Sequence, residues 1–65
     1  MKRRNLIRYL FDEGCIFYGE GAKHSVFFNP VAEKYSTIPR HNDIDYNLAK
    51  KICKDLGIKP INSKQ

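Results

Sequence analysis

His24 and His41 are the two histidines of this sequence, and an imidazole, titrating at about 6.5 in water, is the side chain best matched to moving a proton near neutral pH. His24 follows Gly19-Glu20-Gly21-Ala22-Lys23 and opens the strand-like run His24-Ser25-Val26-Phe27-Phe28. In a strand His24, Val26 and Phe28 share one face and Ser25 and Phe27 the other, which sets the imidazole at the rim of a core. RNA carries its own nucleophile, the 2′-hydroxyl, so cutting it takes a base for that proton and donors to hold the charged phosphorane. His24 fits the first need. Lys23 fits the second only if the turn extends through it, because strand alternation would send it to the opposite face. A histidine at a strand start is also commonly an ordinary polar residue, and the residue types alone leave both possibilities open.

Other chemistries fit less well. Ser25 adjoins His24 and faces away from it, and no carboxylate has the spacing of a Ser-His-Asp arrangement. His24, His41, Cys15 and Cys53 lack the paired spacing of a zinc site and no acidic cluster suggests magnesium, so neither metal nor cofactor is expected. Gly19-Glu20-Gly21 is too short for a phosphate-binding loop and reads as a turn. Cys15 and Cys53 adjoin Ile16 and Ile52 and are expected as buried, reduced thiols, which suits the cytoplasm.

Five elements must position these residues. Leu6, Ile7, Leu10 and Phe11 form one stripe of a first helix over Arg4 to Glu13, with Asn5 as a candidate cap and Gly14 ending it. Cys15 to Tyr18, His24 to Phe28 and Lys34 to Ile38 read as three strands, the last two stopped by Asn29-Pro30 and Pro39. Asn42 or Asp43 caps a second helix whose stripe is Ile44, Leu48, Ala49, Ile52 and Leu56, with Gly57 as its C-terminal cap. The order α-β-β-β-α predicts an α+β two-layer domain, a three-stranded antiparallel sheet covered on one face by two helices. Tyr18 and Tyr35 are assigned to packing in the sheet rather than to stacking on bases.

The 65 residues make one domain, with positions 60–65 expected to fray. Such a small core leaves a thin margin of stability that a partner could augment. Twelve Lys and Arg against seven Asp and Glu, a net +5, favour a polyanionic partner or an acidic protein. Lys2, Arg3, Arg4 and Arg8 could track a nucleic-acid backbone or form a solvated helix face, and Arg40 could meet phosphate or solvent. His41 could touch phosphate or cap the following helix, and the structural reading is favoured. No run of about 20 apolar residues or signal-like leader is present, so neither membrane nor export is expected.

Four stretches carry a family resemblance across nearly the whole chain: Gly21-Ala22-Lys23-His24, Phe27-Phe28-Asn29-Pro30, Ile38-Pro39-Arg40-His41, and Leu48-Ala49-Lys50-Lys51-Ile52-Cys53-Lys54-Asp55-Leu56-Gly57-Ile58. Together with Leu6-Ile7-Arg8 they resemble HicA-type toxins, also called YcfA-like. The resemblance implies a fold like the double-stranded-RNA-binding domain and a metal-independent endoribonuclease that cuts mRNA and blocks translation. It further implies His24 as the catalytic residue and silencing by a HicB-type antitoxin that masks it. Lys23 and the basic residues Arg3, Arg4, Arg8 and Arg40 would bind RNA. The turn departs from the commoner Gly-Ser-His pattern and fits a lysine-bearing one; Ala22 would strain it if that position needed a positive φ. A non-catalytic RNA-binding module of the same fold is the alternative, and a protein-binding role in a regulatory complex is compatible with either.

Overall fold

The structure, a computed structural model, describes residues 1–61. Its elements run α1 (Arg3–Asp12), β1 (Ile16–Glu20), β2 (His24–Asn29), β3 (Lys34–Pro39) and α2 (Tyr46–Leu56). The strands form one antiparallel sheet in the order β1-β2-β3, so the α+β architecture expected from the sequence is the one observed.

Leu6 and Leu10, one turn apart on α1, are wholly buried, whereas Phe11 at the edge of that stripe is half exposed and meets Phe27 edge-on at 5.4 Å. Asn5 lies inside α1 and is not its cap. The N-cap is Lys2, whose side chain makes no capping bond. Backbone pairing holds this end instead: the Arg3 N–H donates to the Asn42 carbonyl at 2.8 Å and the Ile44 N–H to the Met1 carbonyl at 2.8 Å. Gly14, at φ 90°, turns the chain out of the helix, and Cys15 closes back on the Leu10 carbonyl at 2.9 Å.

β1 runs two residues further than expected. The register shifts between Phe17 and Gly19, a bulge that lets the strand continue to Glu20, so the hairpin loop is Gly21, Ala22 and Lys23. Among the described residues Glu33 is the one non-glycine residue with positive φ, so Ala22 is not strained. Along β2 the side chains alternate: Ser25, Phe27 and Asn29 are buried toward the helices and His24 is exposed.

Asp45, two residues beyond the expected cap, starts α2 by accepting from the N–H groups of Asn47 and Leu48 at 3.0 and 3.3 Å. Ala49, Ile52, Cys53 and Leu56 form its buried face, and Ile44 is buried just before it. At its other end buried Asn29 donates from Nδ2 to the Leu56 carbonyl at 2.7 Å, and Gly57 takes the left-handed conformation at φ 73°. Cys15 and Cys53 are unpaired core residues, as expected, and burial pushes both thiols up. Ile61 is also buried, with its carbonyl accepting from the Tyr46 hydroxyl at 3.1 Å. Of the tail expected to fray, 60–65, positions 62–65 lie outside the described residues. No described helix is long and apolar enough to cross a membrane.

Removing the cap with Asp45→Ala should cost about 1 kcal/mol. Gly57→Ala should cost about 1–2 kcal/mol for the left-handed backbone, and its new methyl would meet the Ala32 Cβ at 3.2 Å. Urea unfolding monitored by circular dichroism measures both.

Candidate active site

His24 opens β2 on the face that the helices leave uncovered, and its Cα partner across the ladder is Pro39 of β3. Beside this pair lies an open cleft of about 380 Å³ lined by Ala22, Lys23, His24, Pro39, Arg40 and His41. The Gly21 N–H donates to the His24 carbonyl at 2.7 Å and closes the loop. Lys23 belongs to that loop, outside the strand, which is why alternation does not turn it away from His24. His41 does not cap α2, since Asp45 does; it is exposed and lines the cleft with His24.

Behind the cleft, on the helix side of the sheet, four elements converge on a polar knot. Arg3 of α1 donates from Nε to the Pro39 carbonyl and from Nη2 to Ser25 Oγ, both at 2.7 Å. Ser25 Oγ, buried, donates to a Glu20 carboxylate oxygen, and the other oxygen pairs with Arg40, which also donates to the Gly21 carbonyl. The Ser25 hydrogen bond, and then the Arg40 and Arg3 charges, hold the Glu20 carboxyl below the usual carboxylate range. Sequence reasoning missed Glu20 because it placed the residue in the turn; the bulge that carries it into register with Ser25 has only Gly19 as its signal.

The structure separates the expected RNA-contacting cations. Lys23 and Arg40 stand at the cleft, Arg40 already paired with Glu20. Arg3 is committed to β2 and β3 through its two hydrogen bonds. Arg4 lines an adjoining recess with Lys2, Arg3 and Asn42, the residue next to His41. Arg8 lies in a different recess with Asn5, Tyr9, Asp12 and Ile61. A roomier cleft of about 490 Å³, between Lys50, Lys51, Lys54, Ile58 and Pro60, offers cations but no imidazole. Among the described residues no three His, Cys, Asp or Glu side chains group closely enough to hold a metal ion.

Tyr18 and Tyr35 correct the expectation of core packing. They are 62% and 50% exposed, 5.0 Å apart, and gather around Phe28 on the outer face of the sheet, the face from which His24 emerges.

Over residues 3–58 the chain matches the family model described as HicA toxin of bacterial toxin-antitoxin. That stretch contains every residue lining the cleft. No curated protein and no solved structure matches the chain.

Because folding lowers the Glu20 pKa, its contribution to stability is complete above the usual carboxylate range of about 4 and is lost as the pH falls through the depressed folded value. Glu20→Gln should therefore melt below wild type at neutral pH, and the two midpoints should converge in acid. Equal midpoints at neutral pH would mean that the charge in the knot adds nothing to stability.

Proposed function

The chain belongs to the HicA toxin family of bacterial toxin-antitoxin pairs, and from that premise we propose that it is a metal-independent endoribonuclease that cuts mRNA and blocks translation, with His24 as its acid-base group. The observation that carries this proposal is the cleft at the start of β2, where an exposed imidazole stands beside Lys23 and Arg40. His24 takes the 2′-hydroxyl proton as that oxygen attacks the neighbouring phosphorus. The Lys23 ammonium offsets the charge that builds on the phosphorane. The bond from phosphorus to the 5′-oxygen breaks and that oxygen takes up a proton, from water or a neighbouring acid, leaving a 2′,3′-cyclic phosphate on one fragment and a 5′-hydroxyl on the other. The nucleophile comes from the substrate, so the step calls on no metal.

The net charge of +5 draws the polyanion in, and Arg4 in the adjoining recess extends the cationic surface beyond the cleft. Tyr18 and Tyr35 offer exposed ring faces of the kind on which unpaired bases stack. A toxin of such a pair has an antitoxin partner. We place a HicB-type antitoxin over the cleft, masking His24, with the pair working in the cytoplasm where mRNA is translated. An excess of positive charge suits an acidic inhibitor surface.

Cleavage of a long RNA in the presence of chelator should fall about 10²–10⁴-fold in His24→Ala while RNA binding persists. The fragments should carry 5′-hydroxyl ends that a polynucleotide kinase labels directly. Equal cutting by the variant would remove His24 from the chemistry. Binding without cutting by either protein would identify a non-catalytic RNA-binding module.

A further inference from the structure

We infer that His41 is the second proton-transfer group of this site, protonating the departing 5′-oxygen while His24 accepts the 2′-hydroxyl proton; the inference rests on the ribonuclease proposal. Cleavage by the 2′-hydroxyl makes two proton demands, one at the attacking oxygen and one at the leaving oxygen, and a single imidazole in its neutral form meets only the first. Lys23 and Arg40 serve the phosphate as fixed cations that offset its charge. An imidazole is the side chain suited to either task near neutral pH, and His24 and His41 both line the same 380 Å³ cleft.

Their placement suits opposite ends of a phosphodiester. His24 is paired across the ladder with Pro39, the last residue of β3, at the Cα spacing of about 5 Å common to antiparallel partners. The chain then runs through Arg40 to His41, two residues that span at most about 7 Å. His41 thus comes from the neighbouring strand's exit and lines the cleft from a different segment than His24.

The segment that carries His41 is pinned on both sides. The Pro39 carbonyl receives Arg3 Nε, the Arg40 side chain is held by Glu20 and the Gly21 carbonyl, and the Asn42 carbonyl receives the Arg3 N–H at 2.8 Å. Backbone anchored at Pro39 and Asn42, with the Arg40 side chain tied down between them, holds the exposed His41 in place as a preorganised group. The charged groups around it are Lys23 and Arg40 in the cleft, Glu20 on Arg40, Arg3 behind Pro39, Lys2 and Arg4 beside Asn42, and Asp43, whose backbone bridges to Lys2.

In the balanced step the 2′-oxygen–phosphorus bond forms as His24 takes the 2′ proton, the phosphorus–5′-oxygen bond breaks, and the proton on the His41 imidazolium passes to that oxygen. The test compares wild type, His41→Ala, His41→Gln and His24→Ala on two substrates. One is ordinary RNA; the other carries sulfur in place of the bridging 5′-oxygen at the mapped scissile linkage and leaves as a thiolate without needing a proton. On ordinary RNA both His41 variants should be about 10²–10⁴-fold slower than wild type and should lose the alkaline, falling limb of the bell-shaped pH profile of kcat/KM. On the sulfur substrate they should cut as fast as wild type, whereas His24→Ala stays slow on both. Unchanged melting temperatures in the His41 variants would separate a chemical loss from a folding one. Wild-type rates for both His41 variants on ordinary RNA, beside an inactive His24→Ala, would overturn the inference and leave the ribonuclease proposal standing. Slow cutting of the sulfur substrate by the His41 variants would overturn the acid role. Failure of wild type to cut either substrate would overturn both.

Discussion

Strand β2 is hydrogen-bonded along both edges, and its pleat sends Ser25, Phe27 and Asn29 toward the helices while His24 emerges on the opposite face. A chain of this length has two helices with which to cover its sheet, and both lie on the Phe27 side, where Leu6, Leu10, Ile38, Ile52 and Leu56 are fully buried. The other face stays open because no further element is present among the described residues to cover it. That single asymmetry leaves His24 accessible and exposes Tyr18 and Tyr35, and it makes the covered side of β2 the place where Ser25 and Asn29 find their partners.

Those buried polar partners tie the layers together. Asn29 closes the C-terminal end of α2, and Ser25 sits at the centre of the knot that joins α1, β1, β2 and the end of β3. Buried polar groups are favourable only when matched, and here Ser25 lies between a guanidinium and a carboxylate. The knot and the cleft occupy opposite sides of the same few residues. Whatever stiffens Pro39 and Arg40 from behind also fixes the wall of the cleft in front.

Charge in this protein is consequently less available to a ligand than its count implies. Arg3 works inside the fold, Arg40 is shared with Glu20, and Arg8 lies away from the imidazoles. What remains at the cleft is a small set of groups, Lys23 with two imidazoles. Membership of the HicA toxin family gives that small set its biological setting, and the proposed chemistry asks of the fold only that these groups be held in place.

Element types and order were legible in the sequence because each rests on local chemistry: a 3–4 residue apolar spacing for the helices, β-branched and aromatic runs for the strands, and Gly14, Gly57 and Pro39 as stops. His24 was legible for the same reason, as an imidazole after a glycine-bearing turn at a strand start. The extension of β1 through the Gly19 bulge, the capping of α2 by Asp45 and the docking of Ile61 were not, since each depends on contacts between residues far apart in the chain. That His41 lines the cleft rather than capping α2 could not be decided, because the register that sets Pro39 beside His24 cannot be seen in either segment alone. The sequence by itself determined which side chains could move a proton; only the tertiary structure decided which of them share a cleft, because pairing β2 with β3 sets Pro39 opposite His24 and so brings His41, just past the strand, to the same cleft.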